Sequence, residues 1–197
     1  MTLEEIYNSG VSKWGDTPAV FTDKNSWHSY LPVYERLLQD RNPIKMLEIG
    51  VQTGGSLWLW QNYFRENNVN YEITGMDILP TFYCINHEFQ NPVTEDKNIT
   101  ILWNTDSTIA PSYANLGEFN FIIDDGLHSY ESQKASLEYG LPKLSKGGIF
   151  VIEDIVQPGF VEALKNYALS IDRDLQVEIH SGMKNNRFDD VMLILRK

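Results

Sequence analysis

Acidic residues and a histidine follow two short apolar segments in the second half of the chain. The first segment ends in Asp124-Asp125-Gly126-Leu127-His128, and the second ends in Glu153-Asp154. If the two segments are neighbouring strands, their carboxylates gather at one edge and need a compensating cation. An all-oxygen set suits a hard ion such as Mg²⁺, or Mn²⁺. We therefore predict a divalent metal site formed by Asp125, Glu153 and Asp154.

Glycines at a second place indicate a ligand-binding turn. The pattern Glu48-x-Gly50-x-x-x-Gly54 follows a buried strand, where the chain must turn sharply and expose its backbone before a helix begins. The spacing differs from the G-x-G-x-x-G of dinucleotide enzymes and lacks the lysine of phosphate-binding P-loops. A pyrophosphate ligand is therefore disfavoured, and with it a nicotinamide-dependent oxidoreductase.

Two further acids follow strand-like segments downstream of this turn. Asp77 stands where folds of this kind hold a ribose through carboxylate hydrogen bonds to its hydroxyls. Asp106 follows the next such segment and is a candidate acceptor for an adenine amino group. Asn104 and Ser107 could fill that second role instead.

These residues must be positioned by strands that alternate with helices. Short β-branched segments predict five strands, at residues 44–49, 71–76, 99–103, 119–123 and 148–152. Helical patterns between and after them predict helices at residues 30–38, 56–64, 130–144 and 158–170. Two final strands at residues 176–181 and 191–195 favour a hairpin at the sheet edge. The alternation indicates an α/β fold with a mostly parallel, doubly wound sheet.

The composition limits the classes of protein to consider. The chain has 197 residues, of which 42% are hydrophobic, so we expect one domain over residues 1–197, with residues 1–43 as a helical cap or lid. A net charge of −11 disfavours nucleic acid and anionic membrane surfaces as partners. With a single cysteine, Cys84, no intrachain disulfide can form, and no secretion signal or spanning apolar segment is evident. We expect a cytoplasmic protein, and exposed aromatic residues are compatible with a homo-oligomer.

The glycine pattern and its acids resemble the first motif of the class I S-adenosylmethionine-dependent methyltransferases, an acidic residue followed by x-Gly-x-x-x-Gly. The resemblance implies a Rossmann-like sheet of seven strands in the order 3-2-1-4-5-7-6, with the hairpin antiparallel. It also implies that Gly50 and Gly54 face the methionine end of the cofactor, Asp77 its ribose and Asp106 its adenine. The expected cofactor-binding set is Glu48, Gly50, Gly54, Ser56, Asp77, Asp106, Asp124, His28 and Tyr30.

The acidic segments look more narrowly like the metal-dependent sugar O-methyltransferases of macrolide biosynthesis, the mycinamicin and tylosin type. That family carries Asp-Gly-Ser-His and a Glu-Asp pair, which match Asp125-Gly126-Leu127-His128 and Glu153-Asp154 here. The resemblance implies the same three metal ligands as above, and His128 as the general base. Leu127 replaces the family's serine, so a hydrogen bond from that position is lost.

Three members of the expected cofactor set, Asp124, His28 and Tyr30, have an alternative interpretation. Successive residues leave a strand on opposite faces, so only one of Asp124 and Asp125 should point into the site. The segment before the first strand contains Thr22-Asp23-Lys24 and later His28-x-Tyr30, as in small sugar-type methyltransferases. We expect it to act as a lid over the cofactor, although ordinary packing of an amphipathic helix explains it equally well.

The expected activity is transfer of a methyl group from S-adenosylmethionine, with Mg²⁺ or Mn²⁺, to a hydroxyl of a vicinal diol in a sugar or glycosylated metabolite. A metal binding two adjacent hydroxyls would make one of them easier to deprotonate. A catechol-type O-methyltransferase is the alternative enzyme, because a catechol also offers two neighbouring oxygens. A non-catalytic module that binds the cofactor is the alternative from another class.

Overall fold

The computed structural model describes residues 1–10, 22–83 and 92–197. Seven strands form one sheet in the order β3-β2-β1-β4-β5-β7-β6. The first five strands run parallel, whereas β7 pairs antiparallel with both β5 and β6. This confirms the predicted fold class and strand order. The strands are β1 (Ile44–Ile49), β2 (Tyr71–Met76), β3 (Ile99–Leu102), β4 (Phe119–Asp124), β5 (Leu144–Ile152), β6 (Gln176–Ser181) and β7 (Val191–Arg196).

Helices cover both faces of this sheet, and the central strands direct apolar residues to each face. In β1, Met46 packs into one buried cluster, with residues of the first three helices, and Leu47 packs into the other, with residues of the last two. Each face therefore has its own apolar core. The helices are α1 (Leu3–Gly10), α2 (Leu31–Leu38), α3 (Gly55–Glu66), α4 (Tyr130–Gly140) and α5 (Pro158–Ile171).

The segment between α4 and β5 differs from the sequence prediction. The predicted helix at residues 130–144 ends at Gly140 and is followed by a 3₁₀ turn at Leu141–Lys143. Pro142 has no backbone N–H to donate, which explains why the α-helix does not continue. Strand β5 then begins at Leu144, four residues earlier than predicted, although Gly147 and Gly148 lie within its first half.

The register of the central strands brings their carboxyl ends to one edge. Ile49 of β1 pairs with Asp124 of β4, which pairs with Ile152 of β5. The hydrogen bonds continue one step further, since Asp125 N donates to Ile49 O at 2.9 Å and Glu153 N donates to Asp124 O at 3.0 Å. The residues that follow all three strands therefore lie side by side, where doubly wound sheets bind ligands.

Some predicted features lie partly or wholly outside the described residues. Cys84 is among them, because residues 84–91 are not described. A 3₁₀ turn spans Pro92–Glu95 where the described chain resumes. Within the described chain, no helix combines the length and the apolar character needed to cross a membrane.

Candidate active site

A pocket of about 460 Å³ opens at the carboxyl edge of the sheet. Its wall is formed by the loops that follow β1, β2, β3 and β4, together with Thr22 and Asp23 from the segment before α2. Six of the residues predicted for the site line it: Gly50, Ser56, Asp77, Asp106, Asp125 and His128. Seven predicted residues lie outside this lining: His28, Tyr30, Glu48, Gly54, Asp124, Glu153 and Asp154. Their predicted roles stay predictions.

The glycine loop, residues 50–54, packs closely against the loop that follows β4. Gly50 has a φ of +88°, and a Cβ atom there would lie 2.0 Å from the carbonyl oxygen of Asp125. Gly54, with a φ of +78°, is the left-handed residue directly before α3. The glycine at position 50 is therefore needed for the close approach of the β1 and β4 loops, a contact that the sequence pattern did not reveal.

Asp77 organises the loop beside it. Its Oδ2 accepts hydrogen bonds from the backbone N–H groups of Val51 at 2.7 Å and Gln52 at 2.8 Å, and its Oδ1 accepts from Leu79 N at 2.8 Å. A carboxylate has about four acceptor positions, so one remains for a ligand hydroxyl. Asp77 thus shapes the glycine loop and still faces the pocket.

Asp106 forms a local turn on the far side of the pocket. Its Oδ1 accepts from the backbone N–H of Thr108 at 2.8 Å and from the Thr108 hydroxyl at 2.6 Å. These hydrogen bonds lower the pKa of Asp106. The carboxylate is therefore ionised at neutral pH, and its second oxygen is available to accept a hydrogen bond.

Glu48 and Asp124 are buried behind the pocket wall. The indole N–H of Trp60 donates to Glu48 Oε2 at 3.0 Å, and burial raises the pKa of Glu48 to about 7, although Lys24 and Ser56 act in the opposite direction. Asp124 accepts hydrogen bonds from the Ser136 hydroxyl and, at 3.2 Å, from Gly126 N. Burial raises its pKa to about 6. Both acids support the loops from behind.

Asp125, His128 and Asp154 converge beside the pocket. His128 Nε2 lies 3.2 Å from Asp125 Oδ1, and His128 Nδ1 lies 3.7 Å from Asp154 Oδ2. One ligand atom from each of the three residues lies within 4.8 Å of the other two. His128 and Asp154 both have a left-handed backbone, with φ values of +57° and +53°. Such strained conformations cluster at functional sites.

The charges of this group depend on one another. Burial opposes ionisation of Asp125, but Lys24 and His128 outweigh it and lower the pKa of Asp125 to about 2. Burial and the charge of Asp125 raise the pKa of Asp154 to about 6. Burial alone would lower the pKa of His128, but the surrounding carboxylates raise it to about 9. Oxygen-rich donors with excess negative charge match what a divalent ion requires.

Glu153 is held by two side chains that were not among the predicted site residues. Lys24 Nζ lies 2.6 Å from Glu153 Oε2 and 2.6 Å from Asp125 Oδ2. The Tyr34 hydroxyl donates to Glu153 Oε1. Burial lowers the pKa of Lys24, but the two carboxylates outweigh it and hold the pKa well above its ordinary value. Glu153 therefore lies next to the group of Asp125, His128 and Asp154, with both of its oxygens already accepting hydrogen bonds.

His28 and Tyr30 lie outside the pocket lining and contact Asp154. The Tyr30 hydroxyl donates to Asp154 Oδ1 at 2.6 Å, and His28 Nδ1 lies 3.3 Å from the same oxygen. Burial lowers the pKa of His28, but the nearby carboxylates of Asp23 and Asp154 outweigh it and raise the pKa overall. Both residues therefore position Asp154.

The loop between β6 and β7 holds residues 22–30 through hydrogen bonds. Asp190 accepts hydrogen bonds from Ser29 N at 2.8 Å and from the Ser29 hydroxyl. Lys184 Nζ donates to the carbonyl of Asn25, and Asn185 donates to the carbonyl of Ser26 at 3.0 Å. Residues 22–30 are thus pinned over the acidic cluster by residues 182–190.

Comparison with known protein families finds a match for this chain. A family model described as "Methyltransferase domain" matches residues 47–155. The chain belongs to this methyltransferase family. The match spans the glycine loop, the loop after β4 and the Glu153-Asp154 pair. The resemblance to class I methyltransferases predicted from the sequence is thereby confirmed.

Curated relatives of this methyltransferase domain are O-methyltransferases. Mycinamicin VI 2''-O-methyltransferase of Micromonospora griseorubida is 31% identical over 71% of this chain and 36% of the relative. Demethylmacrocin O-methyltransferase of Streptomyces fradiae is 30% identical over 75% of this chain and 35% of the relative. A tetracenomycin rhamnosyl 3'-O-methyltransferase of Streptomyces olivaceus is 28% identical over 66% and 33%. The chain thus matches about a third of the length of these relatives.

Solved structures share the fold of this methyltransferase domain. The mycinamycin-pathway methyltransferase MycE, in complex with Mg, SAH and mycinamycin VI, has a TM-score of 0.70 and 23% identity. That likeness covers 100% of this chain and 54% of MycE. A structure of cmcI with Mg and SAM has a TM-score of 0.60 and 20% identity, and the likeness covers 98% of this chain and 84% of the other. These likenesses support the fold.

Proposed function

We propose that the protein is an S-adenosylmethionine- and divalent-metal-dependent O-methyltransferase acting on a hydroxyl of a vicinal diol in a sugar or glycosylated metabolite. The observation that carries the proposal is the position of His128, which lines the same pocket as the glycine loop and lies between two carboxylates. Two of the curated relatives are named as O-methyltransferases of rhamnosyl tetracenomycins, which favours a glycoside as acceptor. No nucleic acid or membrane partner belongs to this proposal, and residues 1–43 form the cap of a single domain.

The pocket fits S-adenosylmethionine on the side of the glycine loop. Gly50 and Ser56 would face the methionine part, Asp77 would accept from the ribose hydroxyls, and Asp106 would accept from the adenine amino group. When bound, this cofactor supplies a methyl group that its sulfonium has already activated. The protein's contribution is then to align an acceptor oxygen with that methyl group and to take up the acceptor's proton.

The donor set fits a divalent ion beside the acceptor. Asp125 and Asp154 offer carboxylate oxygens that lie within 4.8 Å of each other, beside His128. Glu153 stays a predicted ligand, but Lys24 and Tyr34 already donate to its oxygens. When bound, Mg²⁺ or Mn²⁺ supplies charge that lowers the pKa of a neighbouring hydroxyl.

His128 would act as the general base. Its Nε2–H can donate to Asp125 Oδ1, which leaves the Nδ1 lone pair to accept the proton of the acceptor hydroxyl. The carboxylates that raise its pKa to about 9 would keep the ring protonated at neutral pH. The base role therefore requires that the negative charge around the ring is compensated.

Replacement of His128 tests this proposal. His128→Ala should remove methyl transfer to a panel of glycosides with vicinal diols, measured with radiolabelled S-adenosylmethionine, because the ring that would take the proton is removed. Binding of S-adenosylhomocysteine, measured by calorimetry, should persist, since the glycine loop is intact. His180→Gln, which changes a histidine outside the pocket lining and can still form a hydrogen bond with Ser29, is the matched control.

Two results would contradict the proposal. Unchanged transfer by His128→Ala would remove His128 as the base. Absence of any cofactor binding by the wild-type protein would remove the methyltransferase assignment itself. Catechols belong in the same acceptor panel, and transfer to catechols but not to glycosides would replace the sugar acceptor with an aromatic one.

A further inference from the structure

Leu127 is an exposed apolar side chain in the wall of the pocket. It is among the lining residues, 78% of its surface stays accessible to water, and neither apolar core of the described chain includes it. Covering a large apolar side chain that is exposed in the free protein stabilises whatever covers it. Leu127 therefore favours a bound molecule that places apolar surface against it.

The part of the lining that surrounds Leu127 in the chain and in the adjoining segment is otherwise polar. Apart from Gly126, the loop after β4, the start of α4 and the segment before α2 line the pocket with polar side chains, namely Thr22, Asp23, Asp125, His128 and Ser132. Leu127 is thus the apolar member of this side of the pocket, directly before the proposed general base.

Ile78 is the other large apolar side chain of the described lining that stays exposed, with 67% of its surface accessible. It directly follows Asp77, on the side proposed for the cofactor. Leu127 directly precedes His128, on the side proposed for the acceptor. Because the two exposed apolar side chains are separated in this way, Leu127 is the one that an acceptor beside His128 would meet.

Hydrogen bonds hold the backbone on both sides of Leu127. Before it, Gly126 N donates to Asp124 Oδ1 at 3.2 Å. After it, Ser129 Oγ accepts from Ser132 N at 3.1 Å at the start of α4. The leucine therefore belongs to an ordered loop, and less conformational entropy is lost when a ligand contacts it.

Leucine at this position differs chemically from the serine of the macrolide-type family that the sequence resembles. A serine hydroxyl can donate and accept a hydrogen bond, whereas a leucine side chain can do neither. An acceptor hydroxyl placed against Leu127 would lose its hydration without gaining a partner. An acceptor methyl group in the same place would bury apolar surface on both molecules.

We propose that Leu127 is a specificity-determining residue that contacts an apolar group on the carbon next to the vicinal diol of the acceptor. It favours acceptors with a methyl group on that carbon over acceptors with a hydroxymethyl group. This inference rests on the proposed function, since it takes the diol to lie beside His128. The preference should be about tenfold in kcat/KM, because one added hydroxyl in an apolar contact changes transition-state binding by at least that factor.

The test compares acceptors that differ by a single hydroxyl. Three pairs of p-nitrophenyl glycosides meet this condition: the D-fucoside and the D-galactoside, the D-quinovoside and the D-glucoside, and the L-rhamnoside and the L-mannoside. In each pair the carbon beside the diol carries a methyl group in the first sugar and a hydroxymethyl group in the second. Methyl transfer from radiolabelled S-adenosylmethionine to each acceptor gives the ratio of the two kcat/KM values.

Variants of the whole chain then connect the ratio with Leu127. Leu127→Ser should bring the ratio close to one in the pair that the wild type distinguishes, whereas Leu127→Met, which stays apolar, should keep it. Ile171→Ser is the matched control, because it makes an exposed apolar residue outside the pocket lining polar and should leave the ratio unchanged. Leu127→Ser should keep the wild-type melting temperature and the wild-type affinity for S-adenosylhomocysteine, since the side chain is exposed.

Several outcomes would overturn the inference. A wild-type ratio near one in every pair that is methylated would remove the preference and leave the proposed function intact. A preference that survives in Leu127→Ser would assign it to another residue. Loss of S-adenosylhomocysteine binding by folded Leu127→Ser would place the side chain against the cofactor instead. Transfer to none of these glycosides would overturn both the proposed sugar acceptor and this inference.

Discussion

The two halves of the candidate site are built by different kinds of contact. On the side proposed for the cofactor, Asp77 is held by backbone N–H groups from its own loop and from the glycine loop. On the side proposed for the metal, Asp125 and Glu153 are held by the side chains of Lys24 and Tyr34, which lie far away in the sequence. The first half therefore depends on backbone conformation, whereas the second depends on buried charges supplied by another part of the fold. Changes to the backbone and changes to charge should affect the two halves differently.

The largest effect is expected at the contact that joins the halves. Gly50→Ala would place a methyl group 2.0 Å from the Asp125 carbonyl, at a left-handed φ of +88°. We expect a loss of unfolding free energy of roughly 3 kcal/mol or more, measured by urea denaturation, together with loss of cofactor binding. Gly117→Ala, with no neighbouring atom within 4 Å of the added carbon, is the control and should change little. Equal stability of the two variants would disprove the close contact.

The second-largest effect is expected at Glu48, the buried acid that lies behind the glycine loop. Burial raises the pKa of Glu48 from 4.5 to about 7, so folding favours the protonated form. The stabilising contribution is complete below the unfolded pKa and is lost as the pH rises through about 7. By about pH 8 the loss should approach about 3 kcal/mol, since each pKa unit corresponds to about 1.4 kcal/mol.

Glu48→Gln should remove this part of the pH dependence. The amide is neutral at every pH and can still accept from the Trp60 indole. Urea denaturation near pH 5 and near pH 8 should therefore show a smaller loss of stability for Glu48→Gln than for the wild type. Identical pH profiles would mean that Glu48 is ionised in the folded protein.

A smaller effect is expected at Tyr34, the uncharged residue that donates a hydrogen bond to Glu153. Tyr34→Phe removes the hydroxyl that donates to Glu153 Oε1 and leaves a buried oxygen without that hydrogen bond. This should cost about 1–3 kcal/mol of unfolding free energy. The matched control is Tyr7→Phe, because the buried Tyr7 hydroxyl has no hydrogen-bond partner among the described residues. If both variants lose the same stability, the hydroxyl of Tyr34 contributes nothing specific to the cluster.

The sequence determined the order of the elements and the residues at their ends. Short apolar segments, separated by helical or polar segments, predicted all seven strands. Buried parallel strands need continuous apolar residues because both of their faces are covered. It also showed that acids, glycines and a histidine follow those strands, and therefore meet at one edge of the sheet. The errors lay at element boundaries, as at Pro142, where helix, turn and strand compete within a few residues.

Only the tertiary structure determined which side chains contact each of the three acids. Side-chain direction at a strand end and the approach of a distant segment are not encoded in local periodicity. The sequence therefore grouped Asp125, Glu153 and Asp154 as equivalent, whereas in the fold Lys24 engages the first two and His128 lies between the first and the third. The reason is physical: buried charges must be compensated wherever the fold places them, and the compensating cation comes from a segment pinned by the loop between β6 and β7.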